Sequence, residues 1–214
     1  MTLDFDPVSA YDEAFAGKFT QVVDHIGRAQ PLAVGQWSSA PDRIDQKLFI
    51  EPCTGATVDV GCGPGRLVAE LTTRQIPAMG IDVSAEAIRQ TRVRGALAVC
   101  CDVFTKVPGD GQWEFALLAD GNLGIGGDPV RLLTRLRHLL APHGRVIAEV
   151  ADDGTGLVRE RHRLRVEGRM SAQFDWAVVG LDAIDEIATR AGLVVAQTES
   201  VGGRHTATMV RSLP

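Results

Sequence analysis

From Thr57 to Val150 short apolar runs alternate with segments of helical spacing, and this alternation limits the architecture more than any other feature of the chain. The runs "TVDV", "AMGID", "ALAVC", "EFALLA" and "RVIAEVA" read as buried strands. Between them lie "GRLVAELTTRQ", then "SAEAIRQTRVR" with Ser84 as its N-cap, then a helix that starts at Asp128-Pro129 and ends at His143-Gly144. Strands separated by helices pair in parallel through right-handed crossovers, so the pattern predicts a doubly wound α/β fold with helices on both faces of the sheet. Near the end, the helix "LDAIDEIATRA" precedes "LVVAQTES" and "RHTATMV", joined by Gly202-Gly203. Two glycines between strands signal a hairpin, so the last strand is expected to run antiparallel.

A length of 214 residues suits one domain, 1–214. Residues 1–52 read as a helical lid. Its main helix, Ser9 to Ala29, sets Tyr11, Phe15, Phe19, Val22, Val23 and Ile26 on one stripe, and a shorter helix starts at Ser39 and Pro41. Residues 57–150 form the core and 181–214 the terminal helix and hairpin. The segment 157–177 reads as an inserted hairpin turning at Glu167-Gly168, whose first strand alternates Arg159, Arg161, Arg163 and Arg165 with Glu160, His162 and Leu164. One face of that strand is wholly basic. It fits recognition of an acidic small substrate or of a second copy in a homodimer, or, more plainly, an edge strand kept soluble by charge.

The formal charge of -5 opposes binding to nucleic acid or to an anionic membrane surface. No apolar run approaches the ~20 residues needed to span a bilayer, and "MTLDFDPVSAYDEAF" lacks the basic-then-apolar order of a signal peptide, so the expected compartment is the cytoplasm. Cys53, Cys62, Cys100 and Cys101 form no CxxC pair and read as reduced thiols. No histidine has metal-ligand spacing with another His or Cys, so no metal is expected.

The first strand-to-helix turn is "VDVGCGPGRL". Glycine at 61, 63 and 65 lets the backbone take positive φ and brings a ligand against bare peptide groups. A nicotinamide fingerprint would read GxGxxG, but Arg66 stands where its third glycine belongs. Asp82 ends the second strand nineteen positions beyond Gly63, where a carboxylate can accept both hydroxyls of a ribose. Asp102 follows the third strand and can accept from an exocyclic amino group. With Asp59 these acids form a carboxylate rim, which would repel a pyrophosphate and suits a sulfonium.

The stretches "VDVGCGPGRL", "MGIDVS", "VCCDVF" and "FALLADGNLG", in this order and spacing, resemble the successive motifs of class I S-adenosylmethionine-dependent methyltransferases of the small-molecule type. The resemblance covers Thr57 to about Val150. It implies a Rossmann-like, seven-stranded, mostly parallel sheet in the order 3-2-1-4-5-7-6 with the last strand reversed. It also implies that Gly61, Cys62, Gly63 and Gly65 face the methionine part of the cofactor, with Asp59 near its amino group. Asp82 would hold the ribose, Val83, Asp102 and Val103 the adenine, and Ala119 and Asp120 the floor beside the methyl group.

The expected activity is in-line methyl transfer from S-adenosylmethionine to an oxygen, nitrogen or carbon of a small molecule, and the resemblance implies no fixed catalytic residue. Asp120, Asn122, Tyr11, Trp37 and Trp176 are the acceptor-pocket candidates, with His162 or His205 as a base if one is needed. The alternative is a catalytically inactive cofactor-binding or scaffold protein of the same fold.

Overall fold

The computed structural model describes residues 5–212; the first four and last two residues of the expected 1–214 domain lie outside them. The chain begins with α1 (Pro7–Phe15), β1 (Thr20–Val23), β2 (Ala29–Pro31), α2 (Val34–Trp37) and α3 (Arg43–Asp45), which continues as a π-helical turn (Gln46–Ile50). The alternating core follows as β3 (Thr57–Val60), α4 (Arg66–Thr73), β4 (Ala78–Asp82), α5 (Ala85–Val93), β5 (Leu97–Cys100) and β6 (Trp113–Leu118). A 3-10 segment (Asn122–Gly127), α6 (Pro129–Leu139) and β7 (Leu140–Val150) complete it. The remainder is β8 (Leu157–Val166), β9 (Arg169–Met170), β10 (Phe174–Val179), α7 (Ile184–Arg190), β11 (Leu193–Val201) and β12 (Arg204–Arg211).

Seven strands form one sheet in the order β5-β4-β3-β6-β7-β12-β11. It is parallel from β5 to β7, and β12 is antiparallel to both β7 and β11. The expected numbering 3-2-1-4-5-7-6 describes this order only when the strands of the second sheet are left out of the count. Helices cover both faces because the strands are apolar on both sides. Val58, Val60, Leu118 and Val146 pack with Leu132, Leu133 and Leu136 of α6 and Ile187 of α7. Phe115, Leu117 and Ile147 face the other way, onto Leu48 to Ile50 and Leu67 and Leu71 of α4. Ser84 accepts from Ala87 N–H and Asp128 from Arg131 N–H as N-caps. Gly202 and Gly203, at φ +59 and +81, make the β11–β12 turn.

The second sheet, β10-β8-β1-β2 with β9 on β8, departs from the sequence reading. The expected helix from Ser9 to Ala29 stops at Phe15. Gly17 turns at φ +97, and Thr20, Val22 and Val23, β-branched or strand-compatible, pair with Val166, Leu164 and Arg163. Asp24 closes the β1–β2 turn by accepting from the N–H groups of Ile26 and Arg28. Phe19 and Ile26, expected on the buried stripe, are exposed at 64% and 62%. The N-terminal segment is thus a helix followed by a hairpin.

Three smaller expectations also change. The basic strand β8 is no edge: β10 pairs with one side and β1 with the other. The helix expected at Ser39 starts at Asp42, which forms a capping box with Asp45. His143 and Gly144 lie inside β7 rather than closing α6, since the chain turns straight from Leu139 into the strand.

Candidate functional site

The glycine loop between β3 and α4 bends through Gly61, Gly63 and Gly65 at φ +72, +52 and +79. Its amide hydrogens are all used inside the protein. Gly61 and Cys62 donate to the carbonyl of Ile81, at 2.9 and 3.1 Å, and Gly65 donates to that of Cys62 at 3.0 Å. Gly63 N–H donates to the Asp82 carboxylate at 2.9 Å, and Pro64 has no N–H to give. Gly61 to Gly65 therefore offer an anion no N–H donor of their own. The loop's outer side is held by Asn122, whose Nδ2 donates to the carbonyls of Val60 and Gly61 at 3.1 and 2.9 Å. A Cβ on Gly61 would come within 2.6 Å of that nitrogen.

Asp82, at the end of β4, is oriented by Gly63 N–H on one oxygen and by Ser84 N–H, at 2.8 Å, on the other. Burial raises its carboxyl above the ordinary range despite those donors. Asp59, inside β3 and 3% exposed, is pushed up to about 7 by burial, with Asp120 and Asp82 adding to the rise and Arg66 opposing it. Its carboxyl forms no hydrogen bond among the described residues. Asp102 is more exposed and accepts from Phe104 N–H at 2.8 Å.

These groups surround a cavity of about 520 Å³ beyond the carboxyl ends of the parallel strands, a size and place usual for a small-molecule site. Of the expected cofactor residues, Gly61, Cys62, Gly63, Asp82, Val83, Asp102, Val103 and Asp120 line it, and so do the acceptor candidates Asn122, Tyr11, Trp37 and Trp176. Three lie elsewhere. Asp59 is buried beneath the loop, and Gly65 turns the chain into α4, where a Cβ would overlap Thr91. Ala119 was expected at the floor, but it is 2% exposed and packs with the Leu48 to Ile50 cluster on the far face of the sheet. His205 bonds to Ser200 and Asp152, outside the cavity lining.

The sequence reading missed an ion network behind the floor. Arg66, noted only as a missing glycine, is 5% exposed and grips Asp45 at 2.9 and 2.8 Å and Asp120 at 2.6 and 3.2 Å. Arg204 joins Asp45 at 2.8 Å to Glu149 at 2.7 and 2.8 Å, and Glu149 accepts from Asp120 N–H at 2.6 Å. Burial acts to raise the Asp45 carboxyl, but the two guanidinium groups outweigh it and hold the carboxyl below the usual range. Asp120 sits at φ +53, a left-handed conformation that this network secures. No local signal could reveal it, because Asp45 and Arg204 are 159 positions apart.

The roof was also missed in part. Phe174 and Trp176 on β10 and His162 on β8 line the cavity from above, opposite Tyr11 and Phe15 of α1. Tyr11 and Phe15 stack at 6.4 Å, and Phe174 meets Tyr11, His162 and Trp176 edge-on at 6.2, 6.0 and 6.4 Å. Among the described residues no cluster of three His, Cys, Asp or Glu side chains could hold a metal ion, all four cysteines are free, and no helix is long and apolar enough to cross a membrane.

With fold and site in place, the chain can be compared with known proteins. Residues 57–144 match a family model described as a methyltransferase domain. A SAM-dependent methyltransferase from Bacteroides fragilis, solved with S-adenosylhomocysteine, superposes with a TM-score of 0.80 at 17% identity, over 97% of this chain and 95% of that one. The CcbJ methyltransferase from Streptomyces caelestis gives 0.63 at 14% identity, over 83% and 92%. A 1,6-didemethyltoxoflavin-N1-methyltransferase from Burkholderia thailandensis gives 0.57 at 17% identity, over 78% and 76%. No curated protein sequence matches the chain. The chain thus matches a methyltransferase domain model over residues 57–144 and has the fold of the S-adenosylmethionine-dependent methyltransferases.

Proposed function

We propose that this chain transfers the methyl group of S-adenosylmethionine to a small molecule bound beneath the aromatic roof. The observation that carries the reading is the glycine loop with its amide hydrogens spent internally, next to the Asp82 carboxylate that two backbone donors aim at the cavity. Such a site offers a fixed acceptor for paired hydroxyls. In this reading Asp82 holds the ribose, Val83, Asp102 and Val103 hold the adenine, and Gly61, Cys62 and Gly63 bear on the methionine part, with Asp120 on the floor nearby.

When bound, the cofactor supplies a sulfonium methyl group open to in-line attack. The chain's part is to align the acceptor and keep out water, and proximity of this kind provides much of the acceleration. A small acceptor is supported by the size of the cavity, by the net charge of -5, and by the substrate named for the Burkholderia thailandensis relative. We read the protein as cytoplasmic, where its four thiols stay reduced.

Calorimetry with S-adenosylmethionine, S-adenosylhomocysteine and NAD tests the reading. The two sulfur compounds should bind and NAD should not. NAD binding with no response to the other two would overturn it, and cofactor binding without turnover on any acceptor would identify a non-catalytic cofactor-binding protein.

A further inference from the structure

Glu160, His162, Phe174 and Trp176 share the inner face of the small sheet, with Phe174 opposite His162 and Trp176 opposite Glu160 across the β8–β10 ladder. With Tyr11 and Phe15 they enclose the upper cavity in flat π faces. Such walls favour a planar ring by stacking and edge contacts, over a flexible or anionic chain.

One side chain of this lining keeps an unpaired basic atom. His162 Nε2 lies 2.6 Å from Glu160 Oε2. A carboxylate only accepts, so Nε2 carries the hydrogen and the lone pair of the neutral ring is left on Nδ1. Nδ1 has no hydrogen-bond partner among the described residues, and the residue lines the cavity. The other ionisable groups of the lining are already engaged. Arg66 and Asp120 hold each other, Asp82 is bound by two N–H groups, Asp102 accepts from Phe104, and Asp175 of β10 pairs outward with Arg161 at 3.6 Å. From α1 only Tyr11 titrates in the lining, and burial raises its hydroxyl well above the usual range, as it raises the Cys62 and Cys101 thiols; β1 has no ionisable side chain, and β9, also paired with β8, brings Arg169, which is engaged with Glu13.

We infer that the roof is an acceptor subsite for a planar aromatic or heteroaromatic compound bearing a hydroxyl or ring N–H, and that His162, its tautomer fixed by Glu160, is the general base. The inference rests on the methyl-transfer reading above. Nδ1 takes the acceptor's proton while a lone pair on the acceptor's oxygen or nitrogen forms the bond to the methyl carbon. The electron pair of the broken carbon–sulfur bond stays on sulfur, whose positive charge is cancelled, and His162 then releases the proton to solvent. A base hydrogen-bonded on its far nitrogen by a carboxylate is the arrangement that makes imidazole effective in other transfer reactions.

Two experiments test it. Long-range ¹H–¹⁵N NMR of the ring at pH 7.5 reads the tautomer without any acceptor: Nε2–H with unprotonated Nδ1 is expected, mixed with the other tautomer in Glu160→Gln. An Nδ1–H ring or an imidazolium at that pH in the unmodified protein would overturn the assignment. The second uses methyl-labelled S-adenosylmethionine with 7-hydroxycoumarin, 8-hydroxyquinoline and lumazine as probes. Methylation of at least one is expected, with kcat falling about 100-fold or more in His162→Gln, loss of the acid limb of its pH profile, and unchanged S-adenosylhomocysteine affinity. Full activity in His162→Gln would remove the base. Cofactor binding with no probe methylated would remove the aromatic acceptor class, and failure of the unmodified protein to bind cofactor would instead refute the parent reading.

Discussion

The floor of the cavity consists of loops at the ends of parallel strands, tied together by backbone donors and a buried ion network, whereas the roof is a small antiparallel sheet with an aromatic inner face. Floor and roof meet through a few directed contacts. Asp12 of α1 accepts from Ser84 Oγ and from Glu86 N–H at 2.6 and 3.0 Å, Gln90 donates to the carbonyl of Phe15, and Arg159 donates to the carbonyl of Gly127. The contrast shows how one fold separates two tasks. Interlocked polar groups fix a single arrangement of the floor below, while aromatic contacts above can be exchanged for others of similar shape without unpairing a buried charge.

The contrast breaks most visibly at Arg66. Replacing it by methionine leaves Asp45 and Asp120 buried with a partner missing, and the expected loss is about 3–5 kcal/mol in urea unfolding. On the outer side of the roof, Arg161 and Asp175 are 71% and 68% exposed, so Arg161→Ala should stay within about 0.5 kcal/mol. Equal effects at the two sites would erase the distinction.

A second comparison uses cofactor affinity. Asp82→Ala removes a charged acceptor from the floor and should weaken S-adenosylhomocysteine about 10- to 100-fold by calorimetry. Phe174→Ala on the roof should change it by less than about threefold while impairing acceptor binding. If the two variants weakened the cofactor alike, the roof would be part of the cofactor site.

A third comparison is a pH slope confined to the floor. Asp59 has its carboxyl raised from 3.8 to about 7, so the folded state keeps a proton that the unfolded chain has lost. Its contribution is therefore favourable below about pH 4 and is lost as pH rises to about 7, at no more than about 1.4 kcal/mol per pH unit. Chemical unfolding across this range should show a shallower decline in Asp59→Asn, and an unaltered slope would show that the carboxyl titrates normally.

Much of the floor could be read from residue order, because its parts are local. The glycine turn, the Ser84 and Asp128 caps, Asp82 at a strand end and the Gly202-Gly203 hairpin each depend on neighbours a few positions away. The roof could not be read in this way. The helical stripe from Tyr11 to Ile26 and a helix-then-hairpin share the same apolar residues, and the choice between them needs β8 as a partner, over 140 positions distant. Arg66 was misjudged for a similar reason: in sequence it is a departure from a glycine pattern, and only its distant carboxylates give it a role.

By itself the sequence determined the alternating core, its turns and the acids Asp82 and Asp102 at its strand ends, since helical and strand periods and glycine's freedom at positive φ act over one or two turns of chain. Tertiary structure alone decided that Thr20 to Val23 become a strand, that Arg66 and Arg204 bind three carboxylates, and that His162 meets Glu160 under an aromatic roof. Those outcomes are set by burial and pairing between segments far apart in sequence, where the free energy of a charge or a strand edge depends on which partner arrives.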